Sequence, residues 1–280
     1  MTTLPDLPSF TAHRYVQPLR EGGSLPAVVD TDGGLFVVKF RGSGQGAKAL
    51  VAELIVGLLA SAVGLPTPAL ALVEIPAPFG RAERDPEIQD VLRGSHGVNV
   101  GMRYLDGAFN FDPSAAADVV SAELAAGIVW LDAFVTNPDR TPRNPNLLVW
   151  DRHVWLIDHG AALYVHHDWD AMDEARVHTP FPRIREHVLI TRAGDLAAAD
   201  GRMLAALDAG TIDAVLGAVP DALLAAPPGS RDALAPDAAR ERYRRYLLAR
   251  LAGPRAFVAE AAAARDAVRS EPPRPLSARR

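Results

Sequence analysis

The stretch from Thr136 to Gly160 restricts the fold more than any other part of the chain. Thr136-Asn-Pro-Asp-Arg-Thr-Pro-Arg-Asn-Pro145 is polar and punctuated by prolines, so it continues neither a helix nor a strand. It runs directly into Asn146-Leu-Leu-Val-Trp150, a turn at Asp151-Arg152, and His153-Val-Trp-Leu-Ile157, two apolar β-type runs that read as a hairpin. A hairpin folds the chain back on itself. Asp158, in Asp158-His159-Gly160, is thereby delivered beside Asp139 and Asn144, which stand five residues apart in the loop.

A second hairpin is expected upstream, with Pro26-Ala-Val-Val-Asp30 and Gly34-Leu-Phe-Val-Val-Lys-Phe40 joined across Thr31-Asp32-Gly33. Side chains alternate along a strand, so Leu35, Val37 and Lys39 share one face while Phe36, Val38 and Phe40 share the other. Lys39 and Lys48 are the chain's two lysines, all other cations being arginine, which makes a lysine on an apolar strand face informative. Ala47 to Val63 follows as an apolar helix stopped by Gly64 and Pro66, with Glu53 as its one acid. Leu70 to Ile75 and Val98 to Leu105 read as strands, and Pro76 to Gly97 as a long surface connection. A helix is expected to start with Asp112 as N-cap and Pro113 at its first position and to run to about Phe134. Ala/Leu/Arg-rich helices then fill about 195–269, and the Pro/Arg/Ser-rich 270–280 reads as a disordered tail.

Composition removes several function classes. With 280 residues and 49% hydrophobic content the chain can bury a large core. A formal net charge of −5 offers no broad cationic field for nucleic acid or an anionic membrane. The lack of cysteine excludes disulfides, thiolate metal sites and cysteine nucleophiles. Met1 to Pro8 has neither the basic start nor the apolar core of a secretory signal, and Leu54 to Pro66 is too short to span a bilayer, so a cytoplasmic protein without a membrane span is expected.

The chemistry sits in the polar residues these elements bring together. Asp139, Asn144 and Asp158 form an oxygen-only set, and Mg²⁺ takes one or two such ligands and completes its octahedron with water and phosphate. Lys39 can neutralise phosphate charge, Glu53 can hold the ammonium in place, and Gly22, Gly23 and Ser24 in Glu21-Gly-Gly-Ser-Leu25 can bring backbone N–H groups close to a triphosphate.

In this order the motifs resemble the HipA-like kinase family, within the protein-kinase-like superfamily that also includes the phosphatidylinositol kinases; the resemblance covers roughly Ser24 to Gly160. It implies an α+β, two-lobed protein-kinase-like fold, with a β-rich N-lobe over 1–105 and a helical C-lobe over 106–269. It also implies transfer of the ATP γ-phosphoryl to a hydroxyl acceptor, expected to be a protein serine or threonine. Asp139 would be the catalytic base, Asn144 and Asp158 the Mg²⁺ ligands and Lys39 the contact to the α/β phosphates. Met102, Tyr104 and Leu105 would line the adenine edge.

The chain departs from eukaryotic protein kinases in lacking Gly-x-Gly-x-x-Gly, in having Asn137-Pro-Asp-Arg140 where His-Arg-Asp would stand, and in carrying no Ala-Pro-Glu after Asp158-His-Gly160. It is expected to lack the additional amino-terminal subdomain of full HipA toxins. A small-molecule or lipid kinase, a nucleotide-binding pseudokinase and a toxin with a DNA-binding antitoxin stay open as alternatives. Outside the motifs, His166, His167, Asp168 and Asp170 read as surface residues, Trp130, Trp150 and Trp155 as core, and the arginine-dense Arg240 to Arg250 as a solvated helix face.

Overall fold

The computed structural model describes residues 6–19, 25–44, 46–81, 83–114, 117–225 and 234–271. Its amino-terminal part is β-rich: β1 (Ser9–Pro18), β2 (Ala27–Thr31), β3 (Gly34–Lys39), helix α1 (Gly46–Ala62), β4 (Leu70–Ile75), α2 (Pro86–Arg93) and β5 (Gly97–Arg103). The five strands close into a barrel in the order β1-β2-β3-β5-β4, sealed by the parallel pairing of β1 with β4. The β2–β3 hairpin forms as expected, but Thr31 belongs to β2 and pairs with Gly34, so the turn is the two residues Asp32-Gly33 rather than three. At its tip Gly33 packs under Phe10, where an added Cβ would lie 2.4 Å from the ring.

Alternation places the two faces of β3 as predicted. Phe36 and Val38, followed by Phe40, enter the barrel core with Ala27, Val29, Ala71 and Val73, leaving Lys39 on the opposite face. Helix α1 is buried along Ala49–Ala60 and belongs to the second, larger core. An all-round apolar helix is the pattern of an interior element, which is why a lone acid on it stands out.

The rest is mainly helical. A short β6 (Phe109–Asn110) pairs with β7 (Leu147–Trp150), which pairs with β8 (His153–Leu156). Asp151 and Arg152, both with positive φ, form the two-residue turn between β7 and β8. The helices are α3 (Ala122–Phe134), α4 (Glu174–Val177), α5 (Leu196–Ala206), α6 (Ala209–Gly217), α7 (Asp221–Leu224), α8 (Pro236–Ala252) and α9 (Ala256–Ser270).

Several expectations are corrected. The connection 76–97 is not all loop but holds α2, whose N-cap Asp85 and following Pro86 are ordinary start signals. The helix expected from Asp112 begins at Ala122, capped by Ser121; Asp112 instead closes a turn by accepting from the Ser114 amide. The strand β1 passed unread. Ser270 ends α9 rather than opening a tail, while 272–280 lie outside the described residues. Trp130 is core as expected, but Trp150 and Trp155 are half-buried and meet edge to face.

His166 is fully buried, with its ring against the Tyr243 hydroxyl and its carbonyl accepting from Lys48. Arg250 is also buried, donating to the carbonyls of Ala133 and Phe134 at the end of α3 and to Val177. Helix ends leave such carbonyls without intrahelical partners, so Arg250 satisfies them and anchors the start of the loop that follows. Among the described residues no helix is long and apolar enough to cross a membrane.

Candidate active site

Three charged side chains from distant parts of the chain meet at one point. Lys39 Nζ lies 2.5 Å from Glu53 Oε2 and 2.5 Å from Asp158 Oδ1, the latter across 119 residues of sequence. The strand face sets the lysine's direction, the buried helix carries the glutamate, and the β7–β8 hairpin brings in the aspartate. The Lys39 side chain is 12% exposed and the Asp158 side chain 37%, so the cluster is closed on the α1 side and open at Asp158.

Burial by itself lowers the Lys39 pKa, but Glu53 and Asp158 outweigh it and hold the group above its ordinary value, hence firmly cationic. Burial pushes the Glu53 carboxyl up against the pull of Lys39. Burial pushes Asp158 up too, yet Lys39 dominates and keeps its carboxyl below the usual range. Two carboxylates facing one ammonium leave an excess negative charge in a shielded place. A buried charge calls for a partner, and the second Asp158 oxygen takes no hydrogen bond among the described residues.

The polar loop supplies the rest. Asp139 Oδ2 accepts from Asn144 Nδ2 at 2.9 Å and from Asn146 Nδ2 at 3.2 Å. Asn144 is exposed, whereas Asn146 is buried at the mouth of β7. The Asn146 carbonyl accepts from the Ile157 amide at 3.1 Å, so the loop aspartate and Asp158 are joined through the last rung of the hairpin. Thr136, Asn146 and Asp158 all have positive φ, and backbone strain of this kind gathers at functional sites.

Beneath the loop lies a second charged network. Asp132, on α3, receives Arg140 Nε at 2.6 Å, His187 Nε2 at 2.9 Å and Asn137 Nδ2 at 2.9 Å. Arg140 also donates to the Asn146 carbonyl, to Ile157 O at 3.2 Å and to His159 Nδ1 at 3.3 Å. Although burial opposes it, the charge of Arg140 and the His187 contact hold the Asp132 carboxyl far below the carboxylate range. His159 is kept neutral, lowered to about 3 by burial first and by Arg140 second.

The structure thus brings Lys39 together with Glu53 and Asp158, and Asn144 together with Asp139; no direct hydrogen bond joins the two sets among the described residues. Met102 is buried inside β5, while Tyr104 and Leu105 are half-buried just beyond it. The Tyr104 amide is engaged by Leu35 O, but the Leu105 amide makes no hydrogen bond among the described residues. Gly22, Gly23 and Ser24 lie outside the described residues.

Sequence reasoning passed over Asn146, Asp132, Arg140, His159 and His187. Asp132 carried a usable signal, a lone acid inside Ile128-Val-Trp-Leu-Asp-Ala-Phe134, and so did Asn146, a polar residue at the threshold of an apolar strand. His187 carried none. No three His, Cys, Asp or Glu side chains gather as a metal cluster among the described residues. That is compatible with a cation held by one carboxylate, amide oxygens and phosphate.

No curated protein sequence matches the chain. The crystal structure of a Helicobacter pylori proinflammatory kinase, CtkA, aligns with a TM-score of 0.53 at 11% identity, covering 95% of this chain and 100% of that one. A family model described as HipA-like kinase matches residues 16–233, well over half the chain.

Proposed function

The chain belongs to the HipA-like kinase family, and from that premise we propose that it transfers the γ-phosphoryl of ATP to a hydroxyl, with a protein serine or threonine as acceptor. The observation that carries this reading is the double contact of Lys39 with Glu53 and Asp158, which sets a cationic point beside an open carboxylate. In this reading a β-rich lobe over 1–105 and a helical lobe over 106–269 close on the nucleotide.

Phosphoryl transfer asks the protein for positioning and charge stabilisation more than covalent chemistry. Lys39, fixed by Glu53, meets the α/β phosphates. Asp158 and an asparagine hold Mg²⁺, which neutralises charge on the transferring group when bound. The donor set fits that ion, being oxygen-only with one carboxylate oxygen free. Asn144 was the sequence choice; the buried position of Asn146, one hairpin rung from Asp158, favours it as a second ligand. Asp139, fixed by both asparagine amides, accepts the hydroxyl proton or orients the hydroxyl. The adenine edge lies along Met102, Tyr104 and Leu105, with the Leu105 amide as a donor.

The test is Mg-dependent consumption of γ-labelled ATP, scored for label on protein, lipid and small alcohols. Asp139→Ala is expected to lower turnover by about 10²–10⁴-fold. Turnover that survives this change at full rate would overturn the assignment, and label on lipid or a small alcohol alone would replace the protein acceptor.

A further inference from the structure

His159 has four groups that can hydrogen-bond; its carbonyl accepts from the Ala162 amide, and two of the others point to different halves of the site. Its backbone N–H donates to Glu53 Oε2 at 2.8 Å, the same oxygen that holds Lys39. Its ring Nδ1 lies 3.3 Å from Arg140 Nη2. A guanidinium has donors only, so Nδ1 must be the acceptor and the ring proton must sit on Nε2. Nε2 is buried with no partner among the described residues.

Four of the five Arg140 N–H donors are engaged by this arrangement. Nε serves Asp132, Nη1 serves the carbonyls of Asn146 and Ile157, and Nη2 serves His159. Of these four partner residues, His159 is the one that also bonds α1. A fully buried ring therefore stands between the Lys39–Glu53 pair and the residue next to Asp139.

We infer that His159 is a positioning residue: by accepting from Arg140 while its amide binds Glu53, it fixes the loop bearing Asp139 relative to the Lys39–Glu53 pair. This rests on the phosphotransfer reading above. A phenylalanine would fill the same space but offer Arg140 no acceptor, and the Arg140 side chain would lose one of its four contacts. Asparagine is smaller, yet its Oδ1 stands where Nδ1 stood. Glutamine carries its acceptor one carbon further out. Packing alone ranks phenylalanine above asparagine; the hydrogen bond ranks them the other way.

The full chain as wild type and as His159→Asn, His159→Gln and His159→Phe is assayed for ADP release from Mg·ATP with water as acceptor, with kcat and KM separated. For His159→Phe and His159→Gln, kcat is expected to fall about 30-fold or more while KM for ATP stays within about threefold, because misplacement acts on the transition state. His159→Asn is expected to recover at least about tenfold over His159→Phe. Should His159→Phe fail to fold, the Asn–Gln comparison decides. A phenylalanine variant as active as the asparagine one, or Asn and Gln variants alike, overturns the inference. Amide hydrogen exchange at Ile157, whose N–H donates to the Asn146 carbonyl, judges it without turnover: faster exchange in His159→Phe than in His159→Asn supports the tie, and equal exchange breaks it. A wild-type protein that neither binds nor consumes ATP sinks the phosphotransfer reading separately.

Discussion

Two clusters of buried charge lie on either side of His159, and they differ in how their charges are matched. Asp132 and Arg140 are one anion and one cation, each side chain 0% exposed, with both carboxylate oxygens engaged. Lys39, Glu53 and Asp158 are one cation and two carboxyl groups, with Glu53 Oε1 lacking a partner among the described residues and Asp158 open on one side. The first arrangement is electrostatically complete and holds the loop in shape. The second is left unbalanced, with a carboxylate oxygen open to a further cation. Similar residue types therefore do different work according to whether their charges and hydrogen bonds close among themselves.

The sharpest way to break this contrast is Asp132→Ala, which strands Arg140 in the interior. Losing one member of a buried pair typically costs about 3–5 kcal/mol, so urea denaturation should show a loss of that size. A loss below about 1 kcal/mol would place this network among ordinary surface pairs. Asp158→Asn is the complementary change. It is expected to lower Mg·ATP turnover by about 10²–10³-fold while leaving stability within about 1 kcal/mol, because it relieves excess negative charge. A folded, fully active Asp158→Asn protein would erase the distinction between the clusters.

Acid sharpens the comparison further. His166 is held down to about 3 by burial first, then by His167 and Lys48, and His159 and His187 shift in the same direction. In the unfolded chain each returns to about 6.5, so the unfolded state binds protons that the folded state refuses. Stability is expected to fall as pH drops below about 6.5, by roughly 1.4 kcal/mol per pH unit for each such histidine. Denaturation midpoints at pH 7, 6 and 5 measure it, and His166→Gln should remove one histidine's share of the slope. At the small end, Arg14→Ala breaks an exposed pair with Asp30, whose side chains are 71% and 38% exposed. It should change stability by no more than about 0.5 kcal/mol in the same assay.

The parts of the site that were legible in the sequence were those encoded over short distances. The face of β3 carrying Lys39 follows from strand alternation, and the hairpin that presents Asp158 follows from two apolar runs around Asp151-Arg152. The Glu53–Lys39 contact was visible only as a possibility, since an acid on a helix declares its direction only once the helix is buried on all sides. The start of α3 was misplaced because Asp112-Pro113 is an equally good turn signal, and only packing chose Ser121 as the cap. Arg250 and His166 looked like surface groups, and Arg140 drew no reading, because burial of polar side chains depends on partners far away in sequence.

Sequence alone determined the two hairpins, the interior character of α1, the irregular loop holding Asp139 and Asn144, and the kinase resemblance they carry. Tertiary structure decided that β1 closes the barrel against β4, that Lys39 meets Glu53 and Asp158 together, and that Arg140 and His159 join the two charged networks. The physical reason is range. Alternation, turns and caps act over a few residues, whereas pairing a buried charge requires groups brought together from across the chain, and their desolvation makes the match energetically important.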